Sequence, residues 1–96
     1  MLLKEEFAMK IKDGFILREV AGSYIVIGVG GDSVDFNGMI TVNETGAFLW
    51  GKLAEGTTEE ELLGAMLDEY EVDEETAKAD IDEFLQLLCK EEILEK

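Results

Sequence analysis

At Asn43 a short run with strand character, Met39-Ile40-Thr41-Val42, gives way without a linker to a helical pattern that opens Glu44-Thr45-Gly46-Ala47-Phe48-Leu49-Trp50. Asparagine suits the N-cap because its side-chain oxygen accepts from the unpaired N–H groups of a helix's first turn. The last strand of a small sheet therefore feeds directly into a helix, with Trp50 about one and a half turns in. Such a junction marks a recognisable module, and it points to binding rather than catalysis.

Upstream of the corner the chain reads as strands, over residues 15–42. Phe15-Ile16-Leu17-Arg18-Glu19-Val20 is bounded by Asp13-Gly14 and by Ala21-Gly22-Ser23, both turn chemistry. Tyr24-Ile25-Val26-Ile27-Gly28-Val29 is β-branched and aromatic, and the short link makes the two runs a hairpin. Gly30-Gly31-Asp32 interrupts the pattern, Val34-Asp35-Phe36 follows, and Asn37-Gly38 is a strong turn dipeptide ahead of the third strand. A three-stranded antiparallel meander results.

Downstream, residues 44–94 read as three helices. The first closes at Gly56, a residue that takes the left-handed conformation at helix ends. The second opens with Thr58 and Glu61, a capping box, and its apolar residues Leu62, Leu63, Met66, Leu67 and Tyr70 follow helical spacing, leaving Glu59, Glu60, Asp68 and Glu69 in water. The third begins after Asp73, with Glu74 and Glu75 where the helix dipole favours acids. Its apolar row is Ala77, Ile81, Phe84, Leu85 and Leu88, with Ile93-Leu94 as a last tuck. The fold class is α+β: a three-stranded antiparallel meander followed by a three-helix bundle, winged-helix-like, in one domain over residues 1–96, with 1–9 frayed.

Charge divides the chain unevenly. Through Ala54, seven acids face five bases; from Glu55 onward sixteen acids face Lys78, Lys90 and Lys96 alone, a net of −13 of the total −15. Such a surface repels phosphate, which argues against nucleic acid and anionic membranes as partners. It suits a basic protein or peptide partner, and it equally serves solubility. No apolar run reaches spanning length, and Met1-Leu2-Leu3-Lys4-Glu5-Glu6 lacks the pattern of a signal peptide. One cysteine, Cys89, forms no internal disulfide, and a reducing cytoplasm is the expected location.

Catalytic chemistry is scarce. Histidine is absent, removing the commonest general base and metal ligand. Cys89 lies in a helical run without a neighbouring base or second thiol and reads as a structural, partly buried residue. The carboxylates sit on polar helix faces rather than in the buried pairs that acid/base work needs. Gly28-Val29-Gly30-Gly31-Asp32 has no following Lys-Ser/Thr and no helix N-terminus, so it reads as a turn rather than a phosphate loop. The expectation is a protein that is not an enzyme and carries no cofactor or metal.

Three pieces in order, Val42-Asn43-Glu44-Thr45-Gly46-Ala47 with Trp50, Thr58-x-x-Glu61-Leu62 ahead of Tyr70-Glu71-Val72-Asp73, and Asp80-Ile81-x-x-Phe84-Leu85, resemble the PqqD-like family over roughly residues 15–94. The resemblance implies a winged-helix-like domain that binds the leader of a ribosomally made precursor peptide and presents it to a radical-SAM or related modifying enzyme. Nothing in the residues selects the quinone pathway. The alternatives are a winged-helix nucleic-acid binder and a regulatory subunit that docks a basic enzyme through acidic helices.

If the third strand lies at the sheet edge, an extended guest can add there through main-chain hydrogen bonds. The candidate peptide-binding residues are Met39, Ile40, Thr41, Val42 and Asn43 on that strand, with Asp80, Ile81, Phe84, Leu85 and Leu88 on the last helix. Asp80 and Asp82 would meet a basic guest residue. The other reading is that Ile81, Phe84, Leu85 and Leu88 only pack the helix on the sheet, as Trp50 is expected to pack the core. The same edge would also serve a strand-exchanged homodimer, with a monomer as the alternative. A proline at Ile40 is expected to weaken guest binding, provided that its N–H faces outward.

Overall fold

A computed structural model describes residues 8–31 and 38–95. Its elements are β1 (Lys10–Ile11), β2 (Phe15–Val20), β3 (Ser23–Gly28), β4 (Met39–Val42), α1 (Glu44–Glu55), α2 (Glu59–Glu69), α3 (Glu74–Lys90) and β5 (Leu94–Glu95). Strands β2, β3 and β4 form an antiparallel sheet in that order, and the three helices follow, so the fold is α+β. The Val34-Asp35-Phe36 segment and residues 1–7, expected to fray, lie outside the described residues.

The β2–β3 hairpin turns on two residues, Ala21 and Gly22, both with positive φ (52° and 82°). That backbone matches the right-handed twist of the flanking strands, which is why two-residue hairpins favour it. Cross-strand register puts Leu17 beside Val26 and Val26 beside Ile40, with Tyr24 beside Val42. Alternation then sends Phe15, Leu17, Tyr24, Val26, Ile40 and Val42 to one face, where all belong to or pack against the core.

Each helix closes that core with an i, i+3, i+4 stripe. α1 buries Leu49, Trp50 and Leu53, α2 buries Leu62 and Met66, and α3 buries Ala77, Ile81, Phe84, Leu85 and Leu88. Burying one such leucine stabilises the fold by about 1.5–3 kcal/mol relative to leaving it in water. Caps fix the boundaries. Asn43 accepts the Gly46 N–H at 2.8 Å, and Thr58 and Glu61 form a reciprocal box at the start of α2. An edge-to-face contact between Phe48 and Tyr70, 5.4 Å between ring centres, ties α1 to the end of α2. Partial burial first, then Glu44, pushes the Tyr70 hydroxyl above its usual pKa.

The two ends of the described chain depart from the sequence-based expectation. Lys10 and Ile11 pair with Glu95 and Leu94, and Met9 exchanges backbone hydrogen bonds of 2.7 and 2.9 Å with Thr57. Met9, placed within the frayed segment, is therefore buried and anchored. α3 stops at Lys90 because Glu92 takes a left-handed conformation (φ 60°). The Ile93 N–H then reaches back to the Leu88 carbonyl at 2.8 Å and the Glu92 N–H to Cys89 at 3.0 Å. This is the glycine-type helix stop built without glycine, which hid it from a sequence reading. Ile93 and Leu94 are buried outside any helix, Ile93 in the link after α3 and Leu94 in β5. Cys89 also differs: it is exposed on α3 rather than partly buried.

Candidate functional site

β4 pairs with β3 alone, so among the described residues its far border is bare. Which groups it presents follows from the ladder's alternation. The Val29 N–H donates to the Gly14 carbonyl at 2.7 Å, so residues 14 and 29 form a hydrogen-bonded pair. Stepping by two, Ile16–Ile27, Arg18–Ile25 and Val20–Ser23 are the bonded pairs between β2 and β3. Tyr24 and Val26 must then turn their amides toward β4, bonding Val42 and Ile40. Met39 and Thr41 are left with N–H and C=O aimed outward. The proviso for Ile40 fails, since its N–H faces β3; Thr41 is the position whose amide is free.

Beside this border lies a groove of about 580 Å³ between β4, the start of α1 and the outer side of α3. Thr41, Val42 and Asn43 form one wall, Asp80, Glu83, Leu87 and Lys90 the other, and Leu49 and Phe84 the apolar floor. Gly46 sets the depth of that floor. A β-carbon there would stand 3.1 Å from both the Phe84 ring and the Val42 β-carbon, closer than such atoms normally approach. Thus the Val42-Asn43-Glu44-Thr45-Gly46 run serves two purposes: Asn43 caps α1, and Gly46 lets α3 come in close.

Of the sequence-derived candidates, Thr41, Val42, Asn43, Asp80 and Phe84 meet at the groove. Met39 is exposed (65 %) on the opposite face of the sheet, and Ile40 is half-buried against the core. Ile81, Leu85 and Leu88 sit in the core, so of the apolar row only Phe84 lines the groove. Asp82 lies on another side of α3, where it accepts a 3.3 Å hydrogen bond from Gln86. Sequence reasoning did not single out Thr45, Leu49, Glu83, Leu87 or Lys90 as binding residues. The signal was present: Asp80, Glu83, Leu87 and Lys90 recur at helical spacing, and Leu87 is apolar off the core stripe.

Among the described residues no ion pair engages Asp80, Glu83 or Lys90, the only pair being Lys78 with Glu74 at 3.5 Å. A larger depression, about 1420 Å³, lies where Glu59, Glu60 and Glu61 of α2 face Glu74 and Lys78 of α3. Met9, Leu63, Ala79 and Ile81 give it apolar lining as well, but no residue of the bare β4 border reaches it. No three acidic or cysteine side chains among the described residues are grouped to hold a metal ion. No described helix is long and apolar enough to cross a membrane.

A bare strand border above an apolar-floored groove is the geometry of a domain that accepts an extended chain. The family model for coenzyme PQQ synthesis protein D (PqqD) matches residues 16–94, and this chain belongs to that family. A solved structure, described as TbiB1 in complex with the TbiA(beta) leader peptide, is 27 % identical with a TM-score of 0.72. The match covers 90 % of this chain and 94 % of that one. No curated protein matches the chain significantly.

Proposed function

We propose that this protein is a non-catalytic adaptor that captures the leader of a ribosomally made precursor peptide and hands the peptide to a radical-SAM or related modifying enzyme. The bare β4 border carries the reading. A guest strand laid along it satisfies the outward amides and carbonyls of Met39 and Thr41, gaining affinity from main-chain hydrogen bonds that demand little of the guest's sequence. Alternate guest side chains then enter the groove over Phe84, beneath which Leu49 is buried. Membership of the PqqD family and the leader peptide held by TbiB1 support the same reading. The protein's place is then the cytoplasm, beside the ribosomal product, which suits its lone free thiol.

Titration with the leader of a precursor peptide encoded beside this protein tests the proposal. Amide resonances of residues 39–43 and of the Asp80–Lys90 face should shift together, and Thr41→Pro should abolish the shifts without unfolding the domain. Full affinity in the Thr41→Pro variant would remove strand addition as the binding mode. The winged-helix nucleic-acid alternative has the charge of the helical half against it, since Glu- and Asp-rich helices repel phosphate.

A further inference from the structure

The walls of the groove differ in charge along its length, and nothing within the described residues neutralises them. Asp80 and Glu83 stand near one end, Lys90 at the other, with Phe84 and Leu87 between along α3. Asp80 and Lys90 are ten residues apart on one helix, about 15 Å along its axis. An extended chain covers that distance in four to five residues, at about 3.3 Å each. Only every second side chain of a guest strand points into the groove, so the even spacing, four, is the one that fits.

We infer that the groove selects an extended segment with a Lys or Arg opposite Asp80 and Glu83, an Asp or Glu about four positions away opposite Lys90, and a bulky apolar residue between them over Phe84. The inference rests on the adaptor reading and deepens it from strand capture to the chemistry of the captured strand. Main-chain pairing along β4 is blind to side chains, so discrimination must come from what the groove receives. The apolar floor contributes affinity by excluding water. The charges contribute register, because a guest displaced by two residues brings each charge away from its partner. Gly46 is a positioning residue in this scheme: it keeps the Phe84 ring low enough for a large side chain to lie above it.

Selection of random twelve-residue peptides, displayed as a library against the immobilised full chain, tests this. Enriched peptides should carry the basic–apolar–acidic pattern with a four-residue charge spacing. A synthetic consensus peptide should lose about three- to tenfold in affinity against the Asp80→Lys, Glu83→Lys double variant, and regain it when its own basic residue is changed to Glu. Binders that vanish with Thr41→Pro but show no charge pattern, or that ignore the double variant, overturn this inference and leave strand addition standing. Binders indifferent to Thr41→Pro overturn strand addition and this inference with it.

Discussion

The short strands of this domain come in two kinds, and their difference is informative. β1 and β5, two residues each, close on one another and on the core: Ile11, Ile93 and Leu94 are buried, and Lys12 adds a 2.8 Å bond to the Ile93 carbonyl. β4, four residues long, is paired on one side only among the described residues. The first pair is a clasp joining distant parts of the chain; the second is a border left available. The longer strand is the one left unsealed. The clasp is sealed because both partners bring apolar side chains to the same core. Among the described residues the border stays bare: the chain turns at Asn43 directly into α1 and lays no further strand beside β4.

Substitutions can break or sharpen this contrast. Ile93→Ala at the clasp should have the largest effect, lowering unfolding free energy by about 2–5 kcal/mol in urea titration, since the side chain is fully buried. Proline at the two neighbouring β4 positions should separate structure from binding. Ile40→Pro removes an amide that bonds β3 and should cost about 3 kcal/mol of stability. Thr41→Pro removes one that bonds nothing in the sheet; it should leave the thermal midpoint within a few degrees while weakening leader binding by more than about tenfold, or 1.4 kcal/mol. Equal stability losses at the two positions would show that the ladder alternation is misassigned.

Smaller effects refine the picture. Glu92→Gly relieves a side chain held in the left-handed region and should stabilise the clasp by about 1 kcal/mol in the same titration. Gly46→Ala presses a methyl group onto Phe84 and Val42; calorimetric leader affinity should fall several-fold, on the order of 1 kcal/mol, with the fold retained. The smallest effect belongs to Asp73 at the start of α3. Thr76, through its side chain first, draws this carboxyl below its ordinary range, although no cap bond of full geometry forms. A lowered folded-state pKa means that the stabilisation is present above the ordinary carboxylate value and is lost as pH falls through the folded one. Asp73→Asn should therefore lower the thermal midpoint slightly at neutral pH and not at all once both states are protonated.

Much of the architecture was legible because it rests on local chemistry. Turn dipeptides, β-branched runs and the Asn43 and Thr58 caps each act within a few residues, and together they specify the order of strands and helices. The ends were not legible. The β1–β5 pair joins residues more than eighty positions apart, and no local pattern announces it. The stop after Lys90 was hidden because Glu92 stands where glycine signals such stops. At the groove, the helix carrying the site could be read, yet the apolar row drew attention to Ile81, Leu85 and Leu88, which face the core. The neighbouring stripe from Asp80 to Lys90 faces outward.

By itself the amino-acid sequence determined the three-stranded meander and three helices, their order, the acidic helical half and the abrupt strand-to-helix corner, because propensity, capping and charge are properties of short stretches. Tertiary structure alone decided which amides of β4 point away from the sheet, which side of α3 meets the groove, and that a β-carbon at Gly46 would crowd Phe84 and Val42. Those outcomes depend on register and on the distance between elements, and neither exists until the sheet and helices are packed together.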